Sequence, residues 1–206
     1  LTTEMKFNVD SDIRKAKTIP SKFYHSSKIY RKLKKLFDRS WQFIGDTDLL
    51  KKNNAHPGIL LDGMLDEPYV LTKTGNDIKC LSNVCTHRGN IVCEEAYKTK
   101  NLVCGYHGRQ FEIDGKMKFM PEFDDVKKFP SKDDDLPEIS MEIWKNLIFV
   151  INDKRCDLSE VTGPMIERLD WLPVNEFKYK PELSRTYKVN ANWALYCDNY
   201  LEGFHI

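Results

Sequence analysis

The chain contains no run approaching the 18 or so apolar residues that a membrane-spanning helix needs. Its first stretch, LTTEMKFNVDSDIRKAK, has no apolar segment of the kind a secretion signal carries. Net charge is nearly absent as well: 32 basic against 31 acidic side chains leave +1. That balance gives no electrostatic reason to expect nucleic acid or a membrane as partner. There is no internal repeat and no low-complexity segment, so a repeat array is excluded. Cysteine is sparse, at six residues. With no export signal the expected compartment is the cytoplasm, where cysteines are ligands or core residues rather than disulfides.

What is present suffices for an ordinary core. Hydrophobic residues make up 41 % and charged residues 31 % of 206 residues, room for one large domain or one domain plus part of another. The chain begins with Leu1, not Met, and stops at Ile206 inside an apparent helix, so it reads as a piece of something longer.

Along the chain, SSKIYRKLKKLFDRSWQFIG places Ile29, Leu33, Leu36 and Phe37 at helical spacing and predicts an amphipathic helix ending near Ser40, then a short strand from Trp41 to Ile44. The basic run within it is expected to be a solvated helix face. From Pro57 to Val150, short β-type runs alternate with turns at Asp62-Gly63, Gly75-Asn76 and Asp114-Gly115. This predicts an all-β region of short antiparallel strands, a sandwich or small barrel. SKDDDLP is expected to be an exposed acidic loop. Beyond Asn152 a helix is expected around Met165 to Trp171, an extended stretch over KYKPELSRTYKVNA, and a helix over NWALYCDNYLEGFHI.

The chemistry concentrates between Cys85 and Gly108. Cys-x-His (Cys85, His87) opens this segment and Cys-x-x-His (Cys104, His107) closes it. Zinc fingers pair Cys with Cys and His with His, because one metal collects four ligands from two tight turns. Here each turn supplies one thiolate and one imidazole. That suits a [2Fe–2S] cluster of the Rieske kind, in which two His replace two Cys on one iron. Cys85 and Cys104 are assigned to one iron, His87 and His107 to the other. Residues 88–103 are expected to form a hairpin that brings the two loops face to face. Gly89, Gly105 and Gly108 are expected to allow close backbone approach, with N–H groups aimed at the sulfurs. A mononuclear zinc site made by the same four residues remains open on spacing alone.

CTHRG (Cys85 to Gly89), CGYHGRQFEIDGKM (Cys104 to Met117) and the order of segments from FDRSWQFIG onward resemble the α subunits of Rieske non-haem iron oxygenases, the family of aromatic ring-hydroxylating dioxygenases and choline-monooxygenase-like enzymes. This sequence departs from the usual pattern at Arg109, where Trp is common, and at Gly105, where Pro is frequent. Cys80 and Cys93 do not sit where respiratory Rieske proteins place a disulfide, and are expected to be plain thiols. The resemblance implies a helical N-terminal segment over residues 1–40 that packs on the catalytic domain. It implies a mainly β Rieske domain, an antiparallel sandwich with flanking helices, over 41–152. The start of an α+β catalytic domain of helix-grip type follows over 153–206.

By the same resemblance, DNYLEGFH contains part of a second site. His205 would be the first ligand of a mononuclear Fe(II) held by two His and one carboxylate. Glu202, one turn earlier, would bridge to a Rieske His of a neighbouring subunit, and Asn199 belongs to the same motif. The implied protein is a homotrimer that takes electrons from a reductase or ferredoxin and uses O₂ to hydroxylate a small organic substrate. A stand-alone Rieske ferredoxin is the alternative; it has no need of DNYLEGFH. His25 and His56 match no motif and are expected to be solvated.

Overall fold

The structure, a computed structural model, describes residues 7–201 and Gly203. Glu202 and His205 lie outside the described residues. Two compact units are present: Phe37–Tyr179, and Leu1–Leu36 together with Lys180–Ile206.

The second of these carries α1 (Lys22–His25) and a short 3₁₀ turn (Pro181–Leu183), while α2 (Ser27–Asp38) runs from it into the larger unit. It also holds α4 (Trp193–Leu201). Ile29 is the buried residue of α2, but Leu36, expected on the apolar face, is 56 % exposed. α4 is started by Asn192, whose side-chain oxygen accepts the Ala194 N–H at 3.0 Å, and whose amide donates to the Tyr24 carbonyl at 2.9 Å. The Tyr24 hydroxyl donates to Asp198, and that carboxylate pushes the tyrosine up to about 12. Asn199 is exposed on α4 and lines an open cavity of about 760 Å³ with Tyr24, His25 and Asp198. The stretch expected to be extended holds only the 3₁₀ turn as regular structure.

The larger unit is built from three antiparallel sheets of three strands. One orders β1 (Gln42–Asp46), β9 (Leu147–Ile151) and β8 (Ser140–Trp144). The next orders β2 (Ala55–Leu60), β3 (Glu67–Thr74) and β4 (Asp77–Ser82). The last orders β5 (Asn101–Val103), β6 (Gln110–Glu112) and β7 (Met117–Phe119). The hairpin turns read from the sequence are present: Gly75-Asn76 closes β3 on β4 with Thr74 opposite Asp77, and Asp114-Gly115 lies between β6 and β7.

β3 is covered on both faces, and successive residues alternate between two cores. Val70 packs with Ala55, Leu81, Leu102, Phe111, Cys85 and Cys104. Tyr69 and Leu71 pack with Leu50, Leu60, Cys80, Ile148 and Val150. The middle sheet is thus apolar on both sides, and the two cysteines of the motif are anchored in one of its cores. Cys80 and Cys93 are each 1 % exposed, and all six cysteines are free thiols.

Two segments differ from their sequence reading. Residues 88–103 do not form a hairpin; single bridges (Val84 to Ile91, Ala55 to Tyr97) hold the segment until β5 begins. α3 (Leu158–Leu169) starts earlier than expected because Asp157 and Glu160 cap it reciprocally, the Asp157 N–H donating to the Glu160 carboxylate at 3.2 Å. Gly163-Pro164 lies inside it. Trp171 falls past its end and is 77 % exposed. Among the described residues no helix is long and apolar enough to cross a membrane.

Candidate metal centre

The two ligand loops are built to one plan. In the first, the Cys85 N–H donates to the Asn90 carbonyl at 2.8 Å and the Gly89 N–H donates to the Cys85 carbonyl at 2.9 Å. In the second, the Cys104 N–H donates to the Arg109 carbonyl at 2.8 Å and the Gly108 N–H to the Cys104 carbonyl at 3.0 Å. Gly89 and Gly108 share a φ of 72°. A side chain in that left-handed conformation is strained, so glycine closes both turns. Gly105 differs: its backbone is not left-handed and a Cβ there meets nothing within 4 Å. Its expected role in close approach is not what the structure contains. The glycine N–H groups also close the turns on carbonyls rather than on sulfurs.

The loops face one another. Cys85 and Cys104, 3 % and 2 % exposed, are neighbours at the base of the site. The rings of His87 and His107 lie edge to face above them, their centroids 4.8 Å apart. Both imidazoles are half-buried. The structure therefore brings together all four residues that the spacing singled out, thiols inward and imidazoles outward. Asn90 crosses between the loops, its amide 3.7 Å from Cys104 Sγ.

The electrostatics suit a metal. Burial pushes the Cys85 thiol up, and its neighbour Cys104 adds to this against the opposing pull of the His87 N–H. A thiolate there needs a cation to compensate it. Burial, then the nearby His107 and the Arg88 and Arg109 charges, hold His87 below its ordinary value of 6.5, so its lone pair is free to bind. His107 Nδ1 is buried with no hydrogen-bond partner. Such an orphaned atom is costly unless something binds it. Among the described residues no three His, Cys, Asp or Glu side chains converge on one point. The four residues fit a [2Fe–2S] cluster.

Sequence reasoning missed the packing around this centre. Tyr106 stacks on His107 at 3.7 Å between centroids and is 59 % exposed. Phe123 meets the His87 ring edge to face at 6.3 Å and packs on Phe129 at 4.9 Å. The expected exposed loop SKDDDLP is a clasp instead. It forms a 3₁₀ turn (Lys132–Asp134) whose Asp134 carbonyl accepts the Thr86 hydroxyl at 2.6 Å and whose carboxylate pairs with Arg109 at 2.6 Å. Asp135 accepts the Met117 N–H at 2.6 Å. The one available sequence signal was the shared offset of Asn90 and Arg109, each five residues past a ligand cysteine. His56 is half-buried rather than solvated, and burial lowers it from 6.5.

Comparison with known proteins agrees with this geometry. Residues 40–130 match the Rieske [2Fe-2S] domain, and that stretch is a Rieske domain. Choline monooxygenase from Beta vulgaris chloroplasts is 25 % identical over 203 residues, covering 93 % of this chain and 44 % of the relative. The carnitine monooxygenase oxygenase subunit of Escherichia coli K12 is 27 % identical over 205 residues, covering 96 % and 53 %. A quaternary ammonium Rieske monooxygenase, whose solved structure bears on carnitine oxidation and inter-subunit electron transfer, superposes with a TM-score of 0.79 at 24 % identity, covering 92 % of this chain and 52 % of that one. The likeness to choline and carnitine monooxygenases extends over nine-tenths or more of this chain. The chain spans about half the length of the relatives it matches.

Proposed function

We infer that this chain is the cluster-bearing part of a Rieske oxygenase that hydroxylates a small organic substrate with O₂. The observation that carries the reading is the pair of equivalent loops presenting two buried thiols and two outward imidazoles, one with an orphaned Nδ1. A [2Fe–2S] cluster held there supplies one-electron redox chemistry, at potentials of roughly −150 to +300 mV for such ligand sets. Cys85 and Cys104 would hold one iron of the cluster, and His87 and His107 the other. The core around the cysteines keeps water from the thiolate end. The half-buried imidazole edges and the exposed Tyr106 leave the other end open to a reductase or ferredoxin.

The remaining assignments extend this reading. Residues 1–40 form a helical segment on the catalytic domain, 41–152 the Rieske domain, and 153–206 the opening of the catalytic domain. His205 is the first ligand of a mononuclear Fe(II). Glu202 is the bridge to a Rieske His of a neighbouring chain in a homotrimer, and Asn199 supports that site. The match to oxygenase subunits continues well past the β region, over nine-tenths or more of this chain, which favours an oxygenase over a stand-alone electron carrier. Relatives that act on choline and carnitine favour a quaternary ammonium substrate over an aromatic ring. The proposed compartment is the cytoplasm.

The test begins with the whole protein reconstituted anaerobically with iron and sulfide. A Rieske visible spectrum with labile sulfide is expected, and a colourless protein holding one metal atom overturns the reading. His107→Ala should lose that spectrum while the apo fold survives, since Nδ1 makes no hydrogen bond to lose. Glu202→Gln should leave both irons loaded and slow turnover severely; wild-type turnover removes Glu202 from the electron route.

A further inference from the structure

Arg109 is the least expected residue in the neighbourhood of the centre. It stands two positions past His107, and its side chain is 4 % exposed. Its carbonyl closes the second ligand loop, and its guanidinium is sealed between aromatic rings, 5.8 Å from the Phe111 centroid and 5.6 Å from that of Phe129. Nε donates to Met117 Sδ at 3.2 Å, and one terminal nitrogen pairs with Asp134 Oδ1 at 2.6 Å. Burying a guanidinium is expensive and gains little net stability even when paired. An apolar side chain of similar volume fills such a space more cheaply, so a charge kept there calls for a reason beyond stability.

The two charges of this pair are not equally dry. The Asp134 side chain is 24 % exposed, and its second oxygen accepts the Ser131 N–H at 2.8 Å and hydroxyl at 2.9 Å. Solvent screens the carboxylate, while the cation lies under Phe111 and Phe129, the latter one ring removed from His87. Phe129 touches Phe123, and Phe123 meets the His87 ring. The field reaching the ligand loops is therefore positive on balance. Both Cys85 and His87 feel the Arg109 charge, behind the larger effect of burial at each.

Resting on the Rieske reading, we propose that the buried Arg109–Asp134 pair sets the reduction potential of the cluster. The dry cation raises the potential and the partly wet carboxylate moderates it. Adding an electron makes the cluster more negative, and a fixed cation favours that state over the oxidised one. Arg109 is a positioning residue in this scheme: it touches no ligand atom, and acts through its field and through the loop that it closes.

The test uses the whole protein, reconstituted, with potentials read by spectroelectrochemical titration at one fixed pH. Visible absorption and labile sulfide are first checked in each protein. Their absence in the wild type fails the Rieske reading, not this proposal. Arg109→Met should lower the equilibrium constant for reduction on the order of tenfold, a shift of about 59 mV to lower potential for a one-electron couple. Asp134→Asn should move the potential the other way, and Arg109→Lys should stay near wild type. The Arg109→Met shift should persist at high salt, because mobile ions do not screen a buried charge. An unmoved potential in Arg109→Met, or a shift of the same sign in both Arg109→Met and Asp134→Asn, overturns the proposal and leaves a packing role. If Arg109→Met fails to keep its cluster, Asp134→Asn decides: an unmoved or lowered potential overturns it.

Discussion

Glycines that look alike in the sequence of the two ligand loops meet opposite demands. Gly108 closes its loop at a φ of 72°, and a Cβ there meets Pro121 Cγ at 3.4 Å, an ordinary contact. Gly89 has the same φ, with its nearest neighbour, Val84 Cγ1, at 4.0 Å. Neither position is crowded, so the cost of alanine is conformational. Forcing an L residue into the left-handed region costs about 1–2 kcal/mol. Gly108→Ala and Gly89→Ala should therefore destabilise the apo protein by similar amounts despite their different surroundings. At roughly 3–5 °C per kcal/mol for a unit of this size, a melt resolves the loss. Gly105, the first residue of the span between Cys104 and His107, has open space and an ordinary backbone. Gly105→Ala should stabilise by about 0.4–1 kcal/mol, because it removes freedom only from the unfolded chain. The assay is thermal unfolding of the three apo variants, followed by visible absorption after reconstitution. Gly108→Ala and Gly89→Ala should load less cluster, since the strained turn carries the ligands. A Gly105→Ala loss as large as that of Gly108→Ala, or a neutral Gly108→Ala, refutes the reasoning from loop geometry.

Phe111→Ala empties a fully buried position in the core that anchors both ligand cysteines and should cost about 3–5 kcal/mol, read by urea unfolding of the apo protein. Burial holds His56 and, together with neighbouring charges, His87 below 6.5 in the folded chain. The folded state then binds fewer protons than the unfolded one, so apo stability should be constant from these groups above pH 6.5 and fall as pH drops below it; His56→Gln should flatten part of that slope. Burial pushes the thiols of Cys80 up to about 12 and Cys93 up to about 11, whereas Cys197 is exposed. An alkylating reagent at neutral pH should label Cys197 first and reach Cys80 and Cys93 only on unfolding, as peptide mapping would show.

The four side chains that come together at the candidate centre were legible from the sequence, because the requirement that picks them out is local. A thiolate and an imidazole two or three residues apart, repeated once, suit two irons with different ligands. The strands were legible too, since alternation and turn residues act over a few neighbours. Gly75-Asn76 and Asp114-Gly115 both lie where the chain reverses. The segment between the loops was not legible, because it is held by single bridges to β2 and to Val84 rather than by its own pairing. Asp134 was read as solvated because its arginine partner is 25 residues away in sequence.

The sequence by itself determined which four side chains are candidate metal ligands and which short segments are extended, since both follow from chemistry within a few residues of each other. Only the tertiary structure decided that the loops share one hydrogen-bond plan, that Gly105 is free where Gly89 and Gly108 are not, and that a charge from an acidic turn is folded against the centre. Those facts depend on contacts between residues distant along the chain, and on which of two charges the packing leaves dry. Neither composition nor spacing encodes the local dielectric that makes Arg109 matter.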